Sequence, residues 1–365
     1  MKRRIVKGAV FTLLICIGLS ACGEKEKVKA PTNLQSENQE AAQNSEVTPR
    51  ELLDSLRNHT TLVPIGDIPI PEENPMKPEV LELGRALFFD PRLSGNNQVS
   101  CATCHDPNLG YGDAKPTFDK YTGGNGERNS PTVINSGYYT SNFWDGRAAS
   151  LEEQALGPIQ NPDEMNQPID ELIKELSAIK GYRERFQAAF NEGVTEQNIA
   201  KALAAFQRQI VVNDTPYDRF LEGETEALTK QEIRGLRLFT GKAFCVTCHN
   251  GPNLSDNNFY NIGLNTEDEG RKAVTEQEGD LGRIRTPGLY GITHTAPYMR
   301  DGSLTTLEEV IDYYDRGGDD HPNKSFFIQK FMSPIGLTDQ EKADLLAFLK
   351  TLGGEPPIYA KPELP

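Results

Sequence analysis

Two five-residue stretches, Cys101-Ala102-Thr103-Cys104-His105 and Cys245-Val246-Thr247-Cys248-His249, constrain the fold of this chain more than any other feature. Each sets two thiols one helical turn apart with an imidazole directly after. That arrangement suits covalent attachment of haem through its two vinyl groups and axial ligation of the iron by the histidine. In 365 residues with 6 Cys and 5 His, one such stretch arises by chance roughly once in a thousand sequences. The alternatives are zinc knuckles or redox Cys-x-x-Cys pairs. Zinc wants four ligands, and each cluster offers three with no spare Cys nearby. The spacing therefore predicts two haems of the c type.

The start of the chain predicts where that chemistry takes place. Lys2, Arg3, Arg4 and Lys7 form a basic cluster, and an apolar run from Ala9 to Leu19 follows, too short to span a bilayer. Residues 1–21 are expected to be a signal peptide. Its end, Leu19-Ser20-Ala21-Cys22, resembles the bacterial lipobox, in which Cys22 becomes the lipidated first residue; a plain secretory signal is the alternative. Both readings export the protein to the periplasmic side, the first with a lipid anchor as its only hold on a membrane. Cysteine usage agrees, because Cys16 lies in the signal, Cys22 is the acyl site and the other four hold haems. Residues 22–50 are rich in Lys, Glu, Gln, Asn and Ser and read as a disordered tether.

Charge excludes one large class of function. The formal net charge is −15, and loss of the four cations before Cys22 makes it −19. Nucleic-acid binding needs a basic footprint, so it is not expected. A basic partner would be steered instead.

The body repeats one plan. Gly84-Arg85-Ala86-Leu87-Phe88 precedes the first haem stretch and Gly235-Leu236-Arg237-Leu238-Phe239 the second, each with helical spacing. Ser130-Pro131 and Thr286-Pro287 are each followed by Asp-Gly, at Asp145-Gly146 and Asp301-Gly302, and then by Leu-Glu-Glu at 151–153 and 307–309. Ser150 with Glu153, and Thr306 with Glu309, have capping-box spacing, so a helix should begin at the same point in both copies. Few β-branched alternating runs leave an all-α architecture, with a boundary near Thr215-Pro216 after a helical stretch at 199–210.

The copies differ where a ligand could reach iron. Leu307, Val310, Ile311 and Tyr314 form an i, i+3, i+4, i+7 stripe, so Tyr314 should face inward. In register with it the first copy has Pro158, which cannot bind iron. Gln154 lies one turn earlier, and Glu164 follows six residues after Pro158. One haem would thus have a protein ligand where the other has an opening lined by an amide and a carboxyl. Met332, Met299 and His294 are the rival ligands for the second iron.

These residues resemble the bacterial di-haem cytochrome c peroxidase family, which includes MauG. The resemblance rests on Leu87-Phe88-Phe89-Asp90-Pro91-Arg92-Leu93-Ser94, Arg128-Asn129-Ser130-Pro131-Thr132, Phe143-Trp144-Asp145-Gly146-Arg147-Ala148, Gly157-Pro158, Glu164-Met165 and Thr295-Ala296-Pro297-Tyr298. It implies two class I cytochrome c-like haem domains in tandem, a peroxidatic one over 51–215 and an electron-transfer one over 216–365. It makes His105 and His249 the proximal ligands, Gln154 and Glu164 the distal pair, and Trp144 the residue between the haems. It also implies calcium held by Asn129 with the backbone carbonyls of Thr295 and Pro297, a chemically apt set of oxygens. Two positions depart from many relatives: Asn97 stands where a removable His ligand would be, and Tyr314 where others carry Met.

The reaction so implied is reduction of hydrogen peroxide to water, with Glu164 moving a proton from the near to the far oxygen and Gln154 orienting the peroxide. Electrons would come from an exported cytochrome c or a cupredoxin. A homodimer is compatible with this reading. The rivals are a MauG-like enzyme that oxidises side chains of a partner protein and a non-catalytic di-haem electron carrier. A carrier has no use for an acid–base group beside an open iron.

Overall fold

The repeated Gly-x-x-x-Phe stretches fold into two helix crossings of the same design. In the computed structural model, which describes residues 47–365 apart from residues 60, 265, 266, 323 and 330, the longer helices are α1 (Pro49–His59), α2 (Pro78–Phe88), α3 (Leu151–Gln160), α4 (Ile169–Ala178), α5 (Lys180–Phe190), α6 (Glu196–Arg208), α7 (Pro216–Glu222), α8 (Lys230–Thr240), α9 (Leu307–Asp315) and α10 (Asp339–Lys350). The strands β1 (Phe259–Tyr260) and β2 (Ile284–Arg285) pair antiparallel, Phe259 with Arg285 and Tyr260 with Ile284. The all-α expectation holds. The signal stretch, Cys22 and most of the tether lie outside the described residues. Among the described residues no helix is long and apolar enough to cross a membrane.

In the first lobe α2 packs on α6, and in the second α8 packs on α10. A Cβ added at Gly84 would lie 2.0 Å from the Ala202 carbonyl oxygen, and one at Gly235 would lie 2.0 Å from that of Asp344. Only glycine lets the two backbones approach so closely. One turn on, Phe88 meets Phe206 with ring centroids 5.0 Å apart, and Phe239 meets Phe348 at 5.1 Å. Glycine and phenylalanine four apart share a helix face, so the spacing itself builds the contact. Thr195 and Thr338 open the partner helices, their hydroxyls accepting from the Asn198 and Glu341 N–H groups at 3.1 and 3.2 Å. The helix expected at 199–210 begins earlier, at that cap, and ends at Arg208.

The helices α3 and α9 begin where the capping residues place them. Ser150 accepts from the Glu153 N–H, and Thr306 from the Glu309 N–H, both at 3.1 Å. The reciprocal half of the box forms only in α9, where the Glu309 carboxylate accepts from the Thr306 N–H at 3.1 Å. In α3 the Glu153 carboxylate reaches the Ala149 N–H instead, at 2.7 Å. The first lobe also inserts α4 and α5 between its α3 and α6, with α5 packed against α2.

The lobes are joined by buried charge and by exchanged ends. Arg128 donates to Asp145 at 2.7 Å and, with two nitrogens, to Asp268 of the second lobe at 2.8 Å. Such a pair adds little net stability over an apolar substitute, but losing one partner strands the other. Near the N-terminus Arg57 donates to the Leu221 carbonyl at 2.8 Å and the Thr61 carbonyl accepts from the Gly251 N–H at 3.2 Å. The C-terminal residues cross the other way, onto the first lobe.

Candidate haem sites

Each histidine of the two Cys-x-x-Cys-His stretches is oriented from behind. Nδ1 of His105 lies 3.1 Å from the Tyr111 carbonyl oxygen, and Nδ1 of His249 lies 3.0 Å from that of Leu254. A carbonyl only accepts, so Nδ1 carries the proton and Nε2 keeps its lone pair for a metal. Burial pushes both imidazoles below their usual pKa, which keeps them neutral. Tyr111 and Leu254 hold these carbonyls in place from the left-handed region, with φ of +56° and +50°.

The thiols wait beside them unpaired. Cys101, Cys104, Cys245 and Cys248 form no disulfide. Burial pushes Cys101 up to about 12 and Cys104 up to about 11, and both thiols of the second pair up to about 12. Such thiols are poor nucleophiles and poor redox switches.

The two clefts differ in size and chemistry. The first encloses about 1320 Å³ of atom-free space, mouth included, and is lined by Cys101, Cys104, His105, Trp144, Gln154, Pro158 and Glu164 among others. The second encloses about 490 Å³ and is lined by Cys245, His249 and Tyr314 within an aliphatic wall that includes Leu289, Val310 and Leu345. The structure thus brings Gln154, Pro158 and Glu164 to His105, and Tyr314 to His249. Val310, Ile311 and Tyr314 all line the second cleft, as the stripe on α9 predicts. Met332, Met299 and His294 do not line it; His294 points Nε2 at the Gly354 carbonyl at 2.9 Å, and Met332 packs with Tyr313 and Ile328. Burial pushes the Tyr314 phenol well up, so its ionisation needs a cation beside it.

Glu164 sits just past α3 in a turn held by Asn161, whose amide donates to its carboxylate at 2.6 Å. Burial raises its pKa, and the Asn161 hydrogen bond and the Arg147 charge only partly offset this. Trp144 donates from Nε1 to the Asn129 carbonyl at 2.9 Å, and its own carbonyl accepts from the Arg285 N–H at 2.8 Å. It therefore lines the first cleft while touching the second lobe. Asn129 takes the Arg300 carbonyl with its N–H at 2.7 Å and the Lys115 carbonyl with its amide nitrogen at 2.8 Å. Among the described residues no hydrogen bond joins it to Thr295 or Pro297, which flank Ala296 where the Ala296–Pro297 bond is cis. Asn97 is exposed, with φ of +58°, and does not line the first cleft.

Sequence reasoning missed Arg285. It lines the first cleft from the second lobe, is 6% exposed, and leaves its Nε without a hydrogen-bond partner. Its guanidinium lies 3.4 Å over the Tyr139 ring. One terminal nitrogen donates to the Thr286 carbonyl at 3.2 Å, so the unmet Nε is what remains for a carboxylate, and haem carries two. Its place beside Thr286-Pro287, in register with Asn129, was the available signal. Half-buried thiol pairs, metal-ready imidazoles and this cation fit haem c in the first lobe; the second has the same thiols and imidazole in an apolar slot.

A thiol pair and a carbonyl-oriented histidine on each of two like helical lobes define a di-haem c-type cytochrome. A family model described as di-haem cytochrome c peroxidase matches residues 78–226, and one described as cytochrome c matches 232–353. The Methylamine utilization protein MauG of Methylorubrum extorquens is 41% identical over 303 residues, covering 82% of this chain and 85% of that one. A protein of Pseudomonas sp. named Cytochrome-c peroxidase IdrP1 is 36% identical over 343 residues, covering 84% and 89%. The crystal structure of a MauG-like protein associated with microbial copper homeostasis superposes with a TM-score of 0.72 at 37% identity, covering 79% of this chain and 93% of that one. The chain belongs to the di-haem cytochrome c peroxidase family, and two covalent haem c groups, one per lobe, come with that membership.

Proposed function

We propose that this chain is a peroxidase that reduces hydrogen peroxide to water in the cleft of His105, with electrons entering through the lobe of His249. The lobes are divided at Thr215/Pro216. One observation carries the reading: a carboxyl with a raised pKa and an amide share the cleft of His105, where the other cleft has a tyrosine. Haem, when bound, supplies an iron that accepts the peroxide and passes it electrons. Glu164 takes the proton from the near oxygen and delivers it to the far one, so the first water leaves as the O–O bond breaks. Two electrons and two protons complete two waters per peroxide. Gln154 orients the peroxide through its amide. Trp144, placed at the seam, relays electrons between lobes, and an exported cytochrome c or cupredoxin supplies them.

Tyr314 is proposed as the ligand opposite His249. Calcium is proposed between the lobes on Asn129 Oδ1, whose amide nitrogen donates to the Lys115 carbonyl, with the carbonyls of Thr295 and Pro297. Export and lipidation at Cys22 are proposed from the chain start and from haem c attachment itself. Steady turnover of peroxide with reduced cytochrome c, beginning from the fully oxidised protein, tests the reading; Asn97 leaves no ligand to be removed first. Haem loading with no peroxide consumption sinks it in favour of an electron carrier.

A second reading has its own support. Tyr314 in the second cleft and the 41% identity to a methylamine utilization protein favour oxidation of side chains on a partner protein. Fast peroxide reaction without turnover by any small electron donor selects that reading.

A further inference from the structure

The last residues of the second lobe lie along the first. Tyr111 donates its hydroxyl to the Pro357 carbonyl at 2.7 Å, and Arg85 donates to that of Ala360 at 3.1 Å. The Tyr359 ring meets Phe206 edge-on at 5.4 Å. Arg185 and Arg92 donate to the carbonyls of Glu363 and Pro365, at 3.2 Å and 3.1 Å. Segment 355–365 is thus a strap held mostly through its backbone by side chains of the other lobe.

Among these contacts Tyr111 alone also touches the machinery. It is fully buried and holds φ of +56°, a conformation that an aromatic residue rarely adopts. Its carbonyl receives His105 Nδ1, and burial lifts its phenol to about 12, so the hydroxyl stays a donor. The counterpart in the second lobe, Leu254, has the same left-handed backbone and the same task toward His249, but an aliphatic side chain that no strap can hold. Among the described residues the tether is found on one haem side only.

We propose that the strap and Tyr111 form one positioning device for His105. Pro357 fixes the Tyr111 ring, the ring fixes a strained backbone, and the backbone fixes how firmly the carbonyl takes the Nδ1 proton. A firm hydrogen bond there makes the imidazole a stronger donor and favours ferric iron. Tyr111 is a positioning residue, and the second lobe reaches the first iron through it. The inference rests on haem attachment at His105 and holds whichever oxidation the cleft performs.

The test uses the di-haem protein with Tyr111→Phe, with segment 355–365 deleted, and with both changes. Potentiometric titration and electron paramagnetic resonance read each haem separately. Tyr111→Phe should move the first haem toward ferrous by roughly 3- to 10-fold in equilibrium constant, at most about 59 mV for one electron, with the second haem unmoved. Deletion should shift the first haem at least as far, and the double change no further than deletion alone. If the deleted chain fails to take up haem, Tyr111→Phe decides by itself. A lower melting temperature with both potentials and the first-haem signal unchanged overturns the proposal, as does an equal shift of both haems.

Discussion

Opposed on one scaffold, the two lobes spend their sequence differently. Both cross two helices at a glycine set against a carbonyl, both seat Phe on Phe one turn later, and both hold a histidine from a left-handed carbonyl. Yet the first cleft carries Gln154, Pro158 and Glu164 in a large open space, whereas the second carries Tyr314 in a small apolar one. A duplicated frame tolerates this because the helix crossing and the cap are local steric requirements. The residue thirteen past each Asp-Gly aspartate is free of them and can become a ligand or a vacancy.

The comparison breaks first at Glu164. Glu164→Gln should lower peroxide turnover by roughly 10²–10⁴-fold with both haems retained, measured by steady-state kinetics alongside haem content. Because burial raises this carboxyl, the base form fills only above a pH higher than the ordinary 4.5. Activity in the parent should therefore fall on the acid side above that value. Turnover that survives the substitution unchanged moves proton transfer to another group.

Removing the charge that joins the lobes should cost less. Burial alone would raise Asp268, but hydrogen bonds from Arg128 and the Gly270 N–H outweigh it and hold the carboxyl below its ordinary 3.8. A depressed folded value contributes stability that is complete above 3.8 and lost as pH falls through the lower folded value. Asp268→Asn should destabilise by about 3 kcal/mol, read by denaturant melts at neutral pH. An unchanged midpoint would mean that the strap and N-terminal contacts hold the lobes without it.

The scaffold half of the comparison is sharpened by paired substitutions. Alanine would return about 1 kcal/mol of helix propensity, but a Cβ placed 2.0 Å from a backbone carbonyl forces the crossing apart. Gly84→Ala and Gly235→Ala should each cost about 1–3 kcal/mol net, and by similar amounts, in chemical melts. A cost at one site alone would show that the crossings only look alike. The smallest energetic effect belongs to Tyr314→Phe, expected within about 1 kcal/mol of the parent in stability. It should change the spin state of the second haem and leave the first untouched. Spectra identical to the parent would show that another residue binds that iron.

Much of this was legible beforehand, and for local reasons. Haem attachment is written in five contiguous residues, and the start of α9 in Thr306 and Glu309. The stripe that turns Tyr314 inward is written in α9 alone. Gln154 and Glu164 were legible because the second copy supplied a register against which Pro158 stood out. The glycine of each crossing was visible as a repeat, but its reason was not, since the carbonyl it faces belongs to a helix more than a hundred residues away. Arg285 and Tyr111 were missed for related reasons: the register with Asn129 marked the position of Arg285 but not the cleft it enters, and Tyr111 lies in no repeated stretch.

What the sequence determined by itself is whatever depends on covalent spacing and helical period: two haem stretches, two like lobes, and one open side against one with a candidate ligand. The tertiary structure decided which groups converge from afar. It set Arg285 of one lobe into the cleft of the other, with an unmet hydrogen bond. It laid segment 355–365 across the first lobe, and through Tyr111 behind His105. Such meetings depend on how two lobes dock and how long segments close between them, and backbone carbonyls carry no mark in a sequence to say which side chain will find them.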